Sequence, residues 1–230
     1  MLDGLLFDKD GTLFDFKTSW GRWATGFLAE MATDADHARR LGRAIGFDAD
    51  TCQFRPDSPV IAATAADIAA ALGPELPGWT LRALTGRIDQ ATGAAPMTEA
   101  VPLRPLLTRL RDLGLALGVA TNDSEAPARQ HLAAHGITDC FDFIAGYDSG
   151  HGAKPGPGMC LAFARALHLD PARVAMVGDS RHDLMAGRGA GMRTVAVLTG
   201  MAGAEELLPL ADVILPDIGG LPEWLAGLCD

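Results

Sequence analysis

Leu2-Asp3-Gly4-Leu5-Leu6-Phe7-Asp8-Lys9-Asp10-Gly11-Thr12-Leu13 opens the chain, and here an apolar run ends on two carboxylates set one residue apart. A short run of this kind reads as a buried strand. In open parallel sheets the ligand crevice lies beyond the carboxyl ends of the strands, which places Asp8 at the crevice floor. Where the chain stays extended, alternate side chains share a face, so Asp10 leans over the same volume as Asp8 and Lys9 points away. Gly11 lets the backbone turn without a Cβ, and Thr12 adds a hydroxyl and an amide. Two carboxylates converging with little water repel strongly, and such a pair holds a cation or shares a proton. The plainer alternative is a strand end followed by a helix-capping Asp, since Asp and Gly are common in turns.

Composition narrows the class. At 230 residues the chain can bury a full core and still carry a second small domain, and 48% hydrophobic residues speak against disorder. A net charge of −10 argues against a binder that tracks nucleic-acid phosphates. Cys52, Cys140, Cys160 and Cys229 lie far apart with no CxxC pair, so they read as small core residues in a reducing compartment. The apolar run before Asp8 is too short for a signal peptide or a membrane span. A cytoplasmic protein, monomer or homodimer, with no nucleic-acid or membrane partner, is the expectation.

From Leu115 onward strand and helix patterns alternate. Leu115 to Ala120, Phe141 to Ala145, Val174 to Val177, Thr194 to Leu198 and Val213 to Leu215 read as strands. Between them, helices run from Thr121-Asn122-Asp123-Ser124 through Ala134, from Pro157 to Leu167 and from Leu184 to Ala190. Repeated βα units imply an α/β fold with a doubly wound, mostly parallel sheet. The segment from Phe14 to about Pro102 differs. Trp20, Trp23, Phe27 and Met31 recur at helical spacing, as do Ile61, Ile68 and Leu72, then Leu81, Leu84 and Ile88, with no convincing strand between them. This predicts an α/β core formed by 1–15 and 100–230, with a small all-helical cap of 16–99 inserted after the first strand.

Other candidate residues fall at strand ends. Thr121 and Asn122 follow the second core strand and offer a hydroxyl, an amide side chain and the free amides of a helix start, which together make an anion seat; simple capping is the alternative. Lys154 is one of only three lysines, with Lys9 and Lys17, and sits in the Pro/Gly loop Gly150 to Gly158. A solvated lysine is the alternative there. Val174 to Asp183 places Asp179 and Asp183 after a buried strand, spaced for one loop around a hard cation, or Asp179 is a helix cap.

In this order, the DxDGTL start, Thr121 at a strand end, Lys154 before a proline and the GDSxxD segment resemble the haloacid dehalogenase-like superfamily of aspartyl-phosphate phosphotransferases. The chain runs from 8 to 121 between the first two motifs but only from 121 to 154 between the next two. The extra mass therefore sits where members of the phosphoglycolate phosphatase-like subgroup carry a helical cap.

The resemblance implies a Mg²⁺-dependent phosphatase acting on a small phosphorylated metabolite, phosphoglycolate foremost. Asp8 would be the nucleophile that becomes an aspartyl-phosphate, and Asp10 the acid and base. Mg²⁺ would be held by Asp8, the Asp10 carbonyl and Asp179, with Asp183 as a ligand or as an orienting group for Lys154 or for water. Gly11, Thr12, Thr121, Asn122 and Lys154 would hold the phosphoryl oxygens, and Lys9 is read as non-catalytic. Arg22 and Arg55 are candidates for gripping a second anionic group on the substrate, against the alternative of surface arginines paired with acids. Asp10 argues against carbon–halogen cleavage. A phosphosugar mutase of the β-phosphoglucomutase type would use the same core residues, and a non-enzymatic receiver-like phospho-switch also places acids, Thr and Lys at strand ends. The helical insertion counts against the latter.

Overall fold

A computed structural model describes residues 1–228. In chain order the elements are β1 (Gly4–Phe7), α1 (Phe16–Met31), α2 (Ala35–Ala44), β2 (Phe47–Asp48), β3 (Gln53–Phe54), α3 (Ala65–Leu72), α4 (Leu81–Gly93) and α5 (Leu103–Asp112). They continue with β4 (Ala116–Ala120), α6 (Glu125–Ala134), β5 (Phe143–Ala145), α7 (Gly158–Ala166), β6 (Val174–Gly178), α8 (Arg181–Gly189), β7 (Arg193–Val197), α9 (Ala204–Leu207), β8 (Val213–Leu215) and α10 (Leu221–Ala226).

Six strands form one sheet in the order β5-β4-β1-β6-β7-β8, every pairing parallel. β1 is wholly buried, as an all-parallel strand with helices on both faces requires. One face packs Leu5, Phe7, Leu117, Val177 and Val195 against α5 and α10, and the other packs Leu6 and Met176 against α7, through Phe163, and α8. Because β4 and β6 flank β1 on opposite sides, the chain direction switches there, and the carboxyl ends of these three strands open onto one crevice. Among the described residues, no helix is long and apolar enough to cross a membrane.

The insertion after β1 packs around its own apolar cluster, which includes Trp20, Trp23, Phe27, Leu41, Ile68 and Ile88. Asp15 caps α1 by accepting from the Thr18 N–H at 2.8 Å, and Thr64 and Asp67 form a reciprocal capping box on α3. One feature corrects the all-helical reading, and one helix was not foreseen. β2 and β3 pair as a two-stranded antiparallel ribbon, closed by the Phe47 and Phe54 rings at 4.9 Å, and each is too short to show an alternating pattern. α2 escaped the periodicity because its inner face is only His37, Leu41 and Gly42. Cys140 and Cys160 are buried as expected, but Cys52 is exposed in the turn joining β2 to β3, and Cys229 lies outside the described residues.

Candidate active site

β1 delivers Asp8, whose N–H donates to the Val177 carbonyl at 2.8 Å and so extends the ladder one residue past the strand. β6 delivers Asp179 beside it. Ser180 and Asp183 then cap α8 reciprocally: the Ser180 N–H and hydroxyl donate to Asp183 Oδ2 at 3.0 and 2.7 Å. That leaves Asp183 Oδ1 to accept from Lys154 Nζ at 2.7 Å. Lys154 Nζ also donates to Asp8 Oδ1 at 2.5 Å and to the Ala120 carbonyl at 2.7 Å, so all three ammonium protons are used. Asp183 thus joins the cap of α8 and pairs with Lys154 at once, and Ser180 rather than Asp179 is the N-cap.

Asp8, Asp179 and Asp183 each offer an oxygen within 4.8 Å of the others, and all three are buried. One ammonium cannot balance three carboxylates. Burial opposes the charge on Lys154, but Asp183 and Asp8 outweigh it and hold the amine above its ordinary pKa. The strain falls on the acids instead. Burial, with Asp183 and Asp10 nearby, pushes Asp8 up to about 7, and burial with Asp183 and Asp8 raises Asp179 well above the carboxylate range. A set of hard oxygen donors in carboxylate excess fits a divalent cation such as Mg²⁺. The Asp10 carboxylate is outside this triad.

The Asn122 side chain acts differently from the expectation. Its side-chain Oδ1 accepts from the Lys154 N–H at 2.8 Å, and its Nδ2 donates to the Lys154 carbonyl at 2.9 Å and to Ala62 of the insertion at 2.7 Å. The side chain is thus spent on the Lys154 loop and is not free for an anion. Thr121 lines the cavity, and its Oγ1 accepts from the Asp123 N–H at 3.0 Å. Gly11 and Thr12 do not line it. The Gly11 N–H donates to the Phe14 carbonyl at 2.7 Å, closing a tight turn, while Thr12 is fully buried with its hydroxyl unpartnered. Gly11 matters for space: its φ is +83°, and a Cβ there would lie 2.5 Å from the Asp179 carboxyl.

Asp10 does line the cavity together with Asp8, but not through strand alternation, because the chain leaves the extended state just past Asp8. The Leu13 and Phe14 N–H groups both donate to the Lys9 carbonyl at 3.0 Å, and the curl brings Lys9 Nζ back to Asp10 at 2.7 Å. Sequence reasoning also missed Asp123, Ser180 and His182, which line the cavity. Each had the look of a helix-start residue, so no separate signal marked them.

The insertion closes over these residues and leaves a cavity of about 40 Å³. Its contribution to the wall is apolar apart from Thr92: Trp20, Val60, Ile61, Ala62, Ile68 and Ile88, among others. Trp20 therefore serves both the insertion's core and the cavity wall. Arg22 and Arg55 are absent from that wall, which corrects the anion-grip reading. Arg22 is exposed on α1, and Arg55 Nε pairs at 3.0 Å with Asp57 two residues on, the side chains 60% and 73% exposed. Lys17 and His151 are likewise exposed.

Residues 2–191 match the family model described as haloacid dehalogenase-like hydrolase. The chain belongs to the haloacid dehalogenase-like hydrolases. It is 41% identical over 130 residues to a phosphoglycolate phosphatase of Neisseria meningitidis, covering 56% of this chain and 53% of that one. The chain thus spans about half the length of this and other curated relatives it matches. A phosphoglycolate phosphatase of Vibrio cholerae is 29% identical over 95% of both chains. The fold is shared with a haloacid dehalogenase-like hydrolase structure from Bacteroides fragilis, with TM-score 0.72, 22% identity, and coverage of 96% of this chain and 100% of that one. As a haloacid dehalogenase-like hydrolase, the chain has its buried acids and Lys154 at the sheet's carboxyl edge.

Proposed function

We propose that this hydrolase is a Mg²⁺-dependent phosphatase of small phosphomonoesters that works through an aspartyl-phosphate on Asp8. The single observation that carries the reading is the convergence of Asp8, Asp179, Asp183 and Lys154 on one buried point at the sheet's carboxyl edge. Asp8, Asp179 and Asp183 would hold Mg²⁺, which when bound offsets the negative charge that otherwise keeps carboxylate and phosphate apart.

Asp8 follows the central strand β1, and its Oδ1 accepts from Lys154 Nζ at 2.5 Å. It would attack phosphorus while the ester oxygen leaves, splitting one displacement into two. Asp10 lines the same cavity and would give the leaving oxygen its proton, then take one from the attacking water. Lys154, placed by Asn122 and Asp183, would neutralise phosphoryl oxygens as charge develops. The closed insertion would keep bulk water from the phosphoenzyme.

Phosphoglycolate is the leading substrate on the names of the relatives. With both arginines elsewhere, its carboxylate would meet His182 at the cavity rim rather than a guanidinium.

The test is phosphate release from 2-phosphoglycolate and other small phosphomonoesters with Mg²⁺, by wild type and Asp8→Asn. Release by wild type, lowered roughly 10³-fold or more in the variant, supports the reading. Isomerised sugar phosphate with little release would make it a mutase, and full activity in Asp8→Asn would remove the nucleophile.

A further inference from the structure

Lys9 is fully buried one residue from the proposed nucleophile, and nothing in the mechanism above uses it. Its ammonium has three protons and three polar neighbours. Asp10 receives it on both oxygens, Oδ2 at 2.7 Å and Oδ1 at 2.8 Å; His131 Nδ1 lies at 3.1 Å and Asp123 Oδ2 at 3.3 Å. The Trp20 ring covers the remaining side, its centroid 5.8 Å from Nζ.

His131 has one possible tautomer here. A carbonyl cannot donate, so the contact of Nε2 with the Thr92 carbonyl at 2.8 Å requires the proton on Nε2, and Nδ1 is then a bare acceptor for Lys9. Burial and the Lys9 charge lower His131 to about 4, which keeps that ring neutral. Trp20 and Thr92 belong to the insertion, while Lys9, Asp123 and His131 belong to the α/β body. Two of the groups that fix Lys9, directly or through His131, are therefore in place only when the insertion is seated.

We propose that Lys9 is the positioning residue for Asp10, fixing the orientation of its carboxyl group and stabilising the charge it gains on giving up its proton. The inference rests on the phosphatase reading. As the bond from Asp8 oxygen to phosphorus forms and the ester P–O bond breaks, the leaving oxygen takes the proton from Asp10. Asp10 becomes the carboxylate that Lys9 holds on both oxygens, so the ammonium favours the transition state over the start. A lysine kept only to fill the core would be a poor choice, since a buried ammonium is costly to desolvate and an apolar side chain is not.

The discriminating measurement is leaving-group dependence. An alkoxide must be protonated as it departs, whereas the acetate of acetyl phosphate leaves without help. With Mg²⁺ present, Lys9→Met should lower kcat/KM for the best alkyl phosphate by about 100-fold, the usual scale of general-acid catalysis, and leave acetyl phosphate within about fivefold. Equal losses on both compounds, or no loss on the alkyl ester, overturn the assignment. If Lys9→Met does not fold, Lys9→Met/Asp123→Asn removes the carboxylate the first change strands, and the same unequal losses are required of it. Wild type inert toward every phosphate compound would instead sink the phosphatase reading itself, with this inference attached to it.

Discussion

Asn122 holds Lys154 by both main-chain groups, accepting from its N–H at 2.8 Å and donating to its carbonyl at 2.9 Å. The lysine thereby reaches Asp8 from a fixed loop rather than from a mobile one. Asn122→Ala would strand a buried N–H and carbonyl, costing about 2–3 kcal/mol. The expected result is a lower Tm together with a fall in kcat that exceeds any change in KM. Unchanged kcat would mean that the Lys154 loop is held without Asn122.

Removal and return of the cation give a second check. Asp8 must lose its proton to serve as a ligand, and burial has raised it to about 7. Stabilisation by Mg²⁺ should therefore be small at pH 5 and grow toward pH 8. At about 100-fold excess over Kd, linkage gives about 2.7 kcal/mol, or roughly 5–10 °C in Tm for a chain of this size. Thermal melts with EDTA and with Mg²⁺ measure it, and Asp179→Asn should erase the shift. A pH-independent shift, or one that survives in that variant, would place the ion elsewhere.

Gly11 and Gly150 share a φ of +83° but not a neighbourhood. A Cβ at Gly11 meets the Asp179 carboxyl at 2.5 Å, while one at Gly150 meets nothing within 4 Å. Gly150→Ala should cost only the left-handed penalty, about 1–2 kcal/mol. Gly11→Ala should lower Tm further and also weaken Mg²⁺ binding, because Asp179 must move. Comparable melts and comparable Mg²⁺ titrations for the two variants would contradict this.

The sheet was readable because its strands are continuous apolar runs ending on Asp8, Thr121 and Asp179, and a parallel sheet forces those ends to one edge. The chain after Asp8 was not. Alternation of side chains assumes extended backbone, and the turn that closes on the Lys9 carbonyl breaks the assumption at the next residue. Asp123 was hidden for a related reason, since an acid at a helix start is explained by capping alone. Arg55 was overread: its sequence says nothing of which way the loop faces, and Asp57 supplies a nearer partner than any substrate. Arg55→Ala is thus expected to leave KM for 2-phosphoglycolate unchanged and to alter stability by no more than about 0.5 kcal/mol.

His131 offers a prediction that needs no substrate. Its folded pKa is depressed to about 4 from the usual 6.5, by burial first and by Lys9 second. The unfolded chain then binds more protons between those values, so the stability that comes from keeping the ring neutral is complete above pH 6.5. It is lost as pH falls through the window toward 4. Nitrogen NMR at pH 5.5 should find a neutral histidine with its proton on Nε2 whose signal is absent from His131→Gln. His131→Gln should flatten the acid side of the Tm profile between pH 6.5 and 4. A ring that titrates near 6.5, or that carries its proton on Nδ1, cannot be the acceptor Lys9 requires, and the chain of contacts from Thr92 to Asp10 would be broken at its middle link.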